Sequence, residues 1–251
     1  MNAGGGTPRD PRGDWSRYDS ARIPTKEATP RLDAFLEELR RTADATAAPS
    51  VLDLGCGTGR VAMRMHGLGF SVTGVDINER AVRSAQALAA SSCHPHGSVQ
   101  FHLADIAAEE PPLPGRGPFD AVVCQLVLSI IGGPRDRLAL LRNARALLRP
   151  GGWLYVSASG VSDDVNPGYA RLYTDDFPLT GERHSYLSRD PDGTILYTTH
   201  HFTAGELASL LESAGFGQVV VTRDLESSSR RPDESAYFLH ATGRARNADS
   251  A

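Results

Sequence analysis

Residues 51–60 read VLDLGCGTGR, and this stretch decides how the rest of the chain is interpreted. The short apolar run Val51–Leu54 predicts a buried parallel strand. Glycines then recur at alternate positions, at Gly55, Gly57 and Gly59, where the missing Cβ lets the backbone approach a ligand and adopt positive φ. A helix after this turn would direct its free N–H groups and positive dipole end at that ligand. The stretch therefore predicts a strand, a ligand-binding turn and a helix.

The spacing of the glycines separates this turn from other glycine-rich turns. It is G-x-G-x-G, not the G-x-G-x-x-G of dinucleotide folds, and no Gly-Lys-Ser/Thr of a P-loop follows. From Asp53 to Gly59 the sequence resembles the first motif, D-x-G-x-G-x-G, of the class I S-adenosylmethionine-dependent methyltransferases. The resemblance covers about residues 50–160 and implies S-adenosyl-L-methionine as cofactor and S-adenosyl-L-homocysteine as product. It implies a methyltransferase of the small-molecule or natural-product type, with a small natural product or a modified peptide as acceptor.

Strands and helices alternate on both sides of the glycine turn. This alternation predicts an α/β fold with a doubly wound, mostly parallel seven-stranded sheet whose ligands lie at the carboxyl ends of the strands. The resemblance adds an antiparallel last strand and a small inserted cap. Predicted strands are Ser71–Asp76, Val99–Asp105, Phe119–Gln125 and Trp153–Ser159, and predicted helices are Arg60–His66, 79–90 and Pro134–Leu148, the last stopped by Pro150-Gly151-Gly152.

The chain divides into five predicted parts. Residues 1–14 are a disordered N-terminus, 15–45 a lid and helix, 46–159 the cofactor-binding core, 160–202 an inserted substrate cap, and 203–245 a C-terminal helix and strand pair. In the cap, Asp190-Pro-Asp-Gly193 is typical of a hairpin turn and predicts one between strands Arg183–Arg189 and Thr194–Phe202. Thr203 to Glu206 is a capping box, and Gly217–Asp224 and Ala236–Gly243 form the terminal strand pair.

The resemblance assigns cofactor roles to residues at the ends of successive strands. Asp53 supports the ammonium group, Asp76 accepts hydrogen bonds from both ribose hydroxyls, and Asp105 binds the adenine amino group. The alternative is that these acids are helix N-caps or turn formers, but three at successive strand ends favour the functional role. The remaining predicted cofactor residues are Gly55, Cys56, Gly57 and Gly59 in the turn, Ile77 and Ile106 beside the acids, and Gln125 at the end of the fourth strand.

An aromatic segment precedes the first predicted helix. In many small-molecule methyltransferases a tyrosine-bearing N-terminal segment folds over the cofactor, so Tyr18 is predicted to be a lid residue that contacts cofactor and reacting groups. The alternative is that Trp15 and Tyr18 pack on the first helix.

The cap combines tyrosines with carboxylates. Tyrosine faces and acidic groups suit a cationic amine through cation–π contacts and charge pairing, so N-methylation is favoured. A solvated acidic loop with core tyrosines explains the same residues and stays open. The residues concerned are Tyr169, Tyr173, Tyr186 and Tyr197 with Asp163, Asp164, Asp175, Asp176 and Glu182.

Two adjacent histidines in the cap offer a second chemistry. Alternation along a strand predicts that only one of His200 and His201 faces inward, with His201 on the side of Tyr197 and Thr199. The side chain of Phe202, on the other side, is predicted to pack in the core, which favours His201 in the pocket. His201 is then the candidate general base for O-methylation of a hydroxyl or carboxylate, the alternative to N-methylation.

Composition limits the remaining functions. The chain has 251 residues and a net charge of -4, with no long basic tract and no apolar run of a membrane span, so neither nucleic acid nor membrane is a predicted partner. Three cysteines without paired spacing predict a reducing cytoplasm. Cys93-His94-Pro-His96 falls short of a closed metal site, so no metal is predicted. A monomer or homodimer is expected. The alternative of another class is a non-catalytic cofactor-binding partner subunit.

Overall fold

A computed structural model describes residues 15, 16, 18, 27–43, 47–91, 97–108, 113, 117–190, 192–227 and 233–246. The predicted N-terminus 1–14 and the Cys93-His94-Pro-His96 group lie outside these residues. The strands are β1 Ser50–Leu54, β2 Ser71–Asp76, β3 Val99–Leu103, β4 Phe119–Gln125, β5 Leu148–Ser159, β6 Ser185–Arg189, β7 Ile195–His200, β8 Phe216–Ser227 and β9 Ser235–Ala245. The helices are α1 Pro30–Thr42, α2 Arg60–Gly67, α3 Glu79–Ala90, α4 Pro134–Leu147, α5 Pro167–Thr180 and α6 Ala204–Ser213, with a short 3-10 turn at Leu128–Ile130.

A seven-stranded sheet in the order β3-β2-β1-β4-β5-β9-β8 forms the centre of the fold. Strands β1 to β5 pair in parallel, while β9 pairs antiparallel with both β5 and β8. Strands β6 and β7 form a separate antiparallel hairpin. The predicted doubly wound sheet with an antiparallel last strand is therefore confirmed, and the order of strands brings the carboxyl ends of β1, β2 and β4 together.

Helices cover the sheet on both faces. Val51 packs with α1 and α2 on one face, whereas Leu52 and Leu54 pack with α4 and α6 on the other. All three side chains are at most 1% exposed, as expected for a central parallel strand, and burying such a side chain stabilises the fold by about 1.5–3 kcal/mol. Among the described residues, no helix is both long enough and apolar enough to span a bilayer.

Two helices begin at side-chain caps, and the second of these caps confirms the prediction. The Asn78 Oδ1 atom accepts a hydrogen bond from the Ala81 N–H at 3.0 Å and starts α3. Thr203 and Glu206 form the reciprocal capping box of α6, with the Glu206 N–H donating to Thr203 Oγ1 at 3.1 Å.

Several strand boundaries differ from the prediction. Strand β3 ends at Leu103, so Asp105 lies beyond the strand, where its Oδ1 accepts from the Ala107 N–H in a turn. Strand β5 begins at Leu148, so Pro150-Gly151-Gly152 belongs to a strand with an irregular register against β4. The hairpin strands β6 and β7 are shorter than predicted, and β8 and β9 are longer, because β8 and β9 continue to pair beyond Asp224.

The cap contains a helix that the sequence did not predict. Helix α5 begins at Pro167, with Asn166 Oδ1 accepting from the Gly168 N–H, and ends at Gly181, which has a φ of 64°. Its buried residues are Tyr169, Tyr173 and Asp176. The inserted segment is therefore a helix plus a hairpin, and the tyrosines are its core.

Candidate active site

The glycine turn closes over the end of β1. The backbone N–H groups of Gly55 and Cys56 both donate to the Val75 carbonyl, at 2.8 and 2.9 Å, which ties the turn to β2. Gly55, Gly57 and Gly59 have φ values of +69°, +51° and +83°, a region that side-chain-bearing residues adopt only with strain. The backbone conformation therefore favours glycine at all three positions, as the sequence predicted.

The three glycines differ in what surrounds them. A Cβ on Gly55 would lie 2.4 Å from Val127 Cγ2, and a Cβ on Gly59 would lie 2.8 Å from Phe101 Cζ. A Cβ on Gly57 would have nothing within 4 Å. The turn is therefore packed from behind at Gly55 and Gly59 and open at Gly57, which gives a ligand direct access to the backbone.

Asp76, the last residue of β2, links the turn to the start of α3. Its Oδ2 accepts from the Gly57 N–H and its Oδ1 from the Asn78 N–H, both at 2.8 Å. Burial raises the pKa of Asp76, while these donors and the Ile77 N–H oppose the rise. Each carboxylate oxygen retains capacity for one more hydrogen bond. The carboxylate therefore fits a ligand that carries two adjacent hydroxyls.

Asp53 lies buried beneath the turn. Its side chain is 2% exposed, and Oδ2 has no hydrogen-bond partner within the part of the chain that the structure describes. Burial, helped by the negative charge of Asp76 and opposed by the Ala62 N–H, raises the pKa of Asp53 to about 7. A buried carboxyl with an unsatisfied oxygen fits an ammonium group or a water that bridges to one.

The other predicted cofactor residues surround the same edge of the sheet. Asp105 and Ile106 follow β3 and are half-buried, with the Ile106 carbonyl accepting from Asn143 Nδ2 at 2.8 Å. Gln125 ends β4 and is also half-buried. Burial raises the pKa of the Cys56 thiol well above its ordinary value, so Cys56 stays protonated and serves as a packing residue of the turn.

Leu126 adopts a backbone conformation that the sequence did not indicate. Its φ is 58°, and its N–H donates to Ser157 Oγ at 3.1 Å and to the Ser157 carbonyl at 3.0 Å. A branched residue in this region is strained, and such strain concentrates at functional sites. Leu126 also packs against a cluster formed by Tyr169 and Tyr173 of the cap with Ala236 and Phe238 of β9.

The aromatic N-terminal residues lie over this edge of the sheet. The Asn78 Nδ2 atom donates to the carbonyls of Trp15 and Tyr18, at 2.9 and 2.5 Å, and Trp15 Nε1 donates to the Ile130 carbonyl at 3.1 Å. Both rings contact the Tyr197 ring, with centroids 4.6 and 5.7 Å away. These contacts join the segment to β7 and the β2–α3 connection, in place of the alternative packing on α1.

Three cap tyrosines surround His201. The rings of Tyr169, Tyr173 and Tyr186 have centroids 4.7, 5.7 and 5.3 Å from its imidazole, and the Tyr173 hydroxyl lies 2.6 Å from His201 Nδ1. Burial, together with the smaller effects of the neighbouring His200 and His184, lowers the pKa of His201 to about 3. His201 is therefore neutral near pH 7.

The two adjacent histidines are both buried. His200 is 1% exposed and His201 is 3% exposed. The two rings do point to opposite sides, but both sides are covered because β7 ends at His200 against the start of α6. The His200 ring lies between Ser185 Oγ, 2.8 Å from Nδ1, and Glu206 Oε1, 3.0 Å from Nε2.

The predicted cap carboxylates do not gather among the tyrosines. Asp176 binds Arg189 through both oxygens, at 2.6 and 2.9 Å, and Glu182 binds the buried Arg137 in the same way, at 2.6 and 2.7 Å. The others, Asp163, Asp164 and Asp175, are exposed. The carboxylates are thus neutralised by arginine or solvated.

Two further side-chain groups bring metal-ligand atoms within 4.8 Å of one another. In each, an arginine already neutralises a carboxylate: Arg137 binds Glu182, and Arg31 binds Asp224 with hydrogen bonds of 2.6 and 2.8 Å. The groups are Glu182, His200 and Glu206, and Asp224, Glu226 and His240. Both are explained by ion pairing within the chain.

Comparisons with known proteins give one consistent result. The profile of a family described as a methyltransferase domain matches residues 24–220. The ubiquinone biosynthesis O-methyltransferase of Thiobacillus denitrificans is 34% identical over 195 residues, 78% of this chain and 74% of that protein. The protein of the same name from Chromobacterium violaceum is 35% identical over 144 residues, 57% of this chain and only 56% of that protein. A solved SAM-dependent methyltransferase from Methanosarcina mazei shares 25% identity and has a TM-score of 0.74, over 87% of this chain and 98% of that one.

Proposed function

Because the chain belongs to the S-adenosylmethionine-dependent methyltransferases of the methyltransferase-domain family, we propose that it methylates an acidic oxygen, a phenol or a carboxylate, on a small molecule of natural-product type. The choice of oxygen rests on one observation: the cap carboxylates are paired with arginines or exposed to solvent. It reverses the preference for nitrogen drawn from the sequence.

The residues at the edge of the sheet are the ones we assign to the cofactor. When bound, S-adenosyl-L-methionine supplies an electrophilic methyl group on a sulfonium sulfur. The buried Asp76 carboxylate holds hydroxyls, Asp53 supports an ammonium, and the open backbone at Gly57 permits close approach. Asp105 and Ile106 follow β3, Gln125 ends β4, and the Tyr18 carbonyl accepts a hydrogen bond from Asn78 beyond the end of β2.

The cap favours an oxygen acceptor over an amine. A cationic amine requires an ionised carboxylate near the tyrosine faces, yet Asp176 and Glu182 are paired with arginines and the other three are solvated. The Thiobacillus denitrificans relative, whose name states an O-methyltransferase, gives independent support.

His201 and Tyr173 would orient the acceptor rather than deprotonate it. The Tyr173 hydroxyl lies 2.6 Å from His201 Nδ1, and we assign the hydroxyl as the donor of this hydrogen bond. That assigns the ring proton of His201 to Nε2, which is then a donor for an acceptor oxygen. A histidine whose pKa is about 3 is a weak base, so the acceptor must ionise by its own acidity. In-line displacement then depends on holding that oxygen about 3 Å from the methyl group.

A matched acceptor panel tests the proposal. Purified protein is incubated with methyl-labelled cofactor and aromatic compounds that differ only in bearing a phenol, a carboxylate, an aliphatic alcohol or an amine, together with a peptide that contains each group. We expect label on the phenol or carboxylate. Preferential labelling of the amine would restore the nitrogen alternative and overturn the choice of oxygen.

A further inference from the structure

We infer that Asn78 is a positioning residue whose side-chain amide holds the aromatic N-terminal segment over the cofactor site. The segment is represented in the structure by Trp15, Ser16 and Tyr18 and is called the lid below. The inference rests on the proposed function, because it concerns how the same site retains its cofactor.

Every polar atom of Asn78 has a separate task. Its side-chain Oδ1 accepts a hydrogen bond from the Ala81 N–H and caps α3, while its backbone N–H donates to Asp76 Oδ1. Its Nδ2 donates to the carbonyls of Trp15 and Tyr18. Since an amide nitrogen has two protons, these two bonds use its full donor capacity. One buried residue, 4% exposed, thus joins the proposed ribose-binding carboxylate through its backbone, and the start of a helix and the lid through its side chain.

The lid has two other attachments, and both involve the acceptor side of the site. Trp15 Nε1 donates to the Ile130 carbonyl, in the turn that follows β4. The rings of Trp15 and Tyr18 pack on Tyr197 in β7. The Asn78 bonds are the attachment on the cofactor side, so their loss frees that end of the lid while the Tyr197 contact remains.

The two functions of the side chain can be separated chemically. Aspartate and serine cap helices about as well as asparagine, so Asn78→Asp and Asn78→Ser retain the cap on α3. Neither supplies two amide protons. Aspartate adds a negative charge near Asp76, whereas serine does not, so an effect shared by both variants comes from the lost donors.

The decisive experiment measures binding and lid protection without any acceptor. Affinity for S-adenosyl-L-homocysteine is measured by calorimetry, and trypsin cleavage after Arg17 or Arg22 is followed by mass spectrometry with and without this ligand. In the wild type we expect the ligand to slow cleavage. In both variants we expect unchanged melting temperature without ligand, affinity weaker by roughly 5- to 50-fold for two lost hydrogen bonds, and little protection.

Turnover supplies the readout that separates positioning from folding. With an acceptor from the panel, both variants should raise the KM for the cofactor more than they lower kcat. Wild-type affinity and wild-type protection from trypsin in Asn78→Ser would overturn the inference. A loss of affinity and protection that is accompanied by a lower melting temperature would also overturn it, because the variant would then be misfolded. Failure of the acceptor panel would refute only the proposed oxygen acceptor, since binding and proteolysis need no acceptor.

Discussion

Asp76 lies close enough to Asp53 for its negative charge to raise the pKa of the buried Asp53 carboxyl, on top of the larger effect of burial. The two acids belong to adjacent strands, β2 and β1, which pair in parallel. Because the pKa of Asp53 is raised in the folded state, the free energy of unfolding depends on pH.

Replacing Asp53 should change that dependence. Its pKa is about 7 in the folded state against an ordinary value of 3.8 in the unfolded chain, so between these limits the folded state holds a proton that the unfolded state lacks. Its contribution to stability is therefore complete below about pH 4 and is lost as pH rises toward 7, by at most about 1.4 kcal/mol per pH unit. Urea unfolding at several pH values without ligand should show that Asp53→Asn gains stability relative to wild type as pH rises. A difference that is constant from pH 4.5 to 7 would contradict the assigned burial.

His201 should give the opposite slope. Its pKa is about 3 in the folded state against an ordinary value of 6.5, so its contribution to stability is complete above pH 6.5 and is lost as pH falls toward 3. Relative to wild type, His201→Gln should gain stability as pH falls. In the wild type the two slopes oppose each other between about pH 4 and 6.5, and the double variant is the control in which both disappear. Parallel slopes in the two single variants would show that one assignment is wrong.

The same histidine makes a prediction about catalysis. If His201 donates from Nε2, the kcat profile should show no acidic limb near pH 6.5 and should follow the ionisation of the acceptor. His201→Ala should then lower kcat by roughly 10²-fold, because the ionised acceptor oxygen loses a group that orients it toward the methyl group. With two phenols of different acidity, the limb of the kcat profile should move with the pKa of the phenol. A limb that stays near pH 6.5 for both would reinstate His201 as a general base.

Loss of the Asp76 carboxylate should weaken cofactor binding. Asp76→Ala removes the proposed hydroxyl contacts and should cost about 1.5–3 kcal/mol of binding free energy, as measured by calorimetry with S-adenosyl-L-homocysteine. Glu79→Ala is the matched control, because Glu79 is an exposed acid nearby that pairs with Arg83 on the surface of α3. Equal affinities of the Asp76 variant and wild type would remove Asp76 from the site.

Two glycines of the turn should respond differently to alanine. Gly55→Ala directs a methyl group at Val127 in addition to the backbone strain, so it should lower the melting temperature more than Gly57→Ala, where the space is open. Gly57→Ala should instead weaken cofactor affinity in a protein that still folds. Thermal unfolding with and without S-adenosyl-L-homocysteine measures both effects, and the reverse ranking would refute the proposed open side of the turn.

Much of the core could be predicted because local signals agree with tertiary structure there. Strands β2 and β4 have their predicted ends, since an apolar run terminates in a polar residue at the open edge of the sheet. The cap was harder. Helix α5 carries tyrosines and a buried Asp176 in place of a leucine stripe and includes Pro178, so its sequence lacks the usual helical pattern.

The polar interior of the site depends on distant partners. Burial of both His200 and His201 requires α6 and the tyrosines of α5, which no local pattern connects. The left-handed Leu126 is likewise held by Ser157 in the neighbouring strand. The double use of Asn78 had one visible signal, its N-cap position, but the second task involves residues some sixty positions earlier in the chain.

The ion pair of Arg137 with Glu182 sets a condition for exchanging caps between enzymes. Arg137 belongs to α4 in the core and is 1% exposed, whereas Glu182 belongs to the cap. A chimera that imports a cap without an acid at this position leaves a buried guanidinium without its carboxylate, at a cost of about 3–5 kcal/mol. The cap of this scaffold is therefore transferable only together with α4, and a graft should include residue 137 along with segment 160–202.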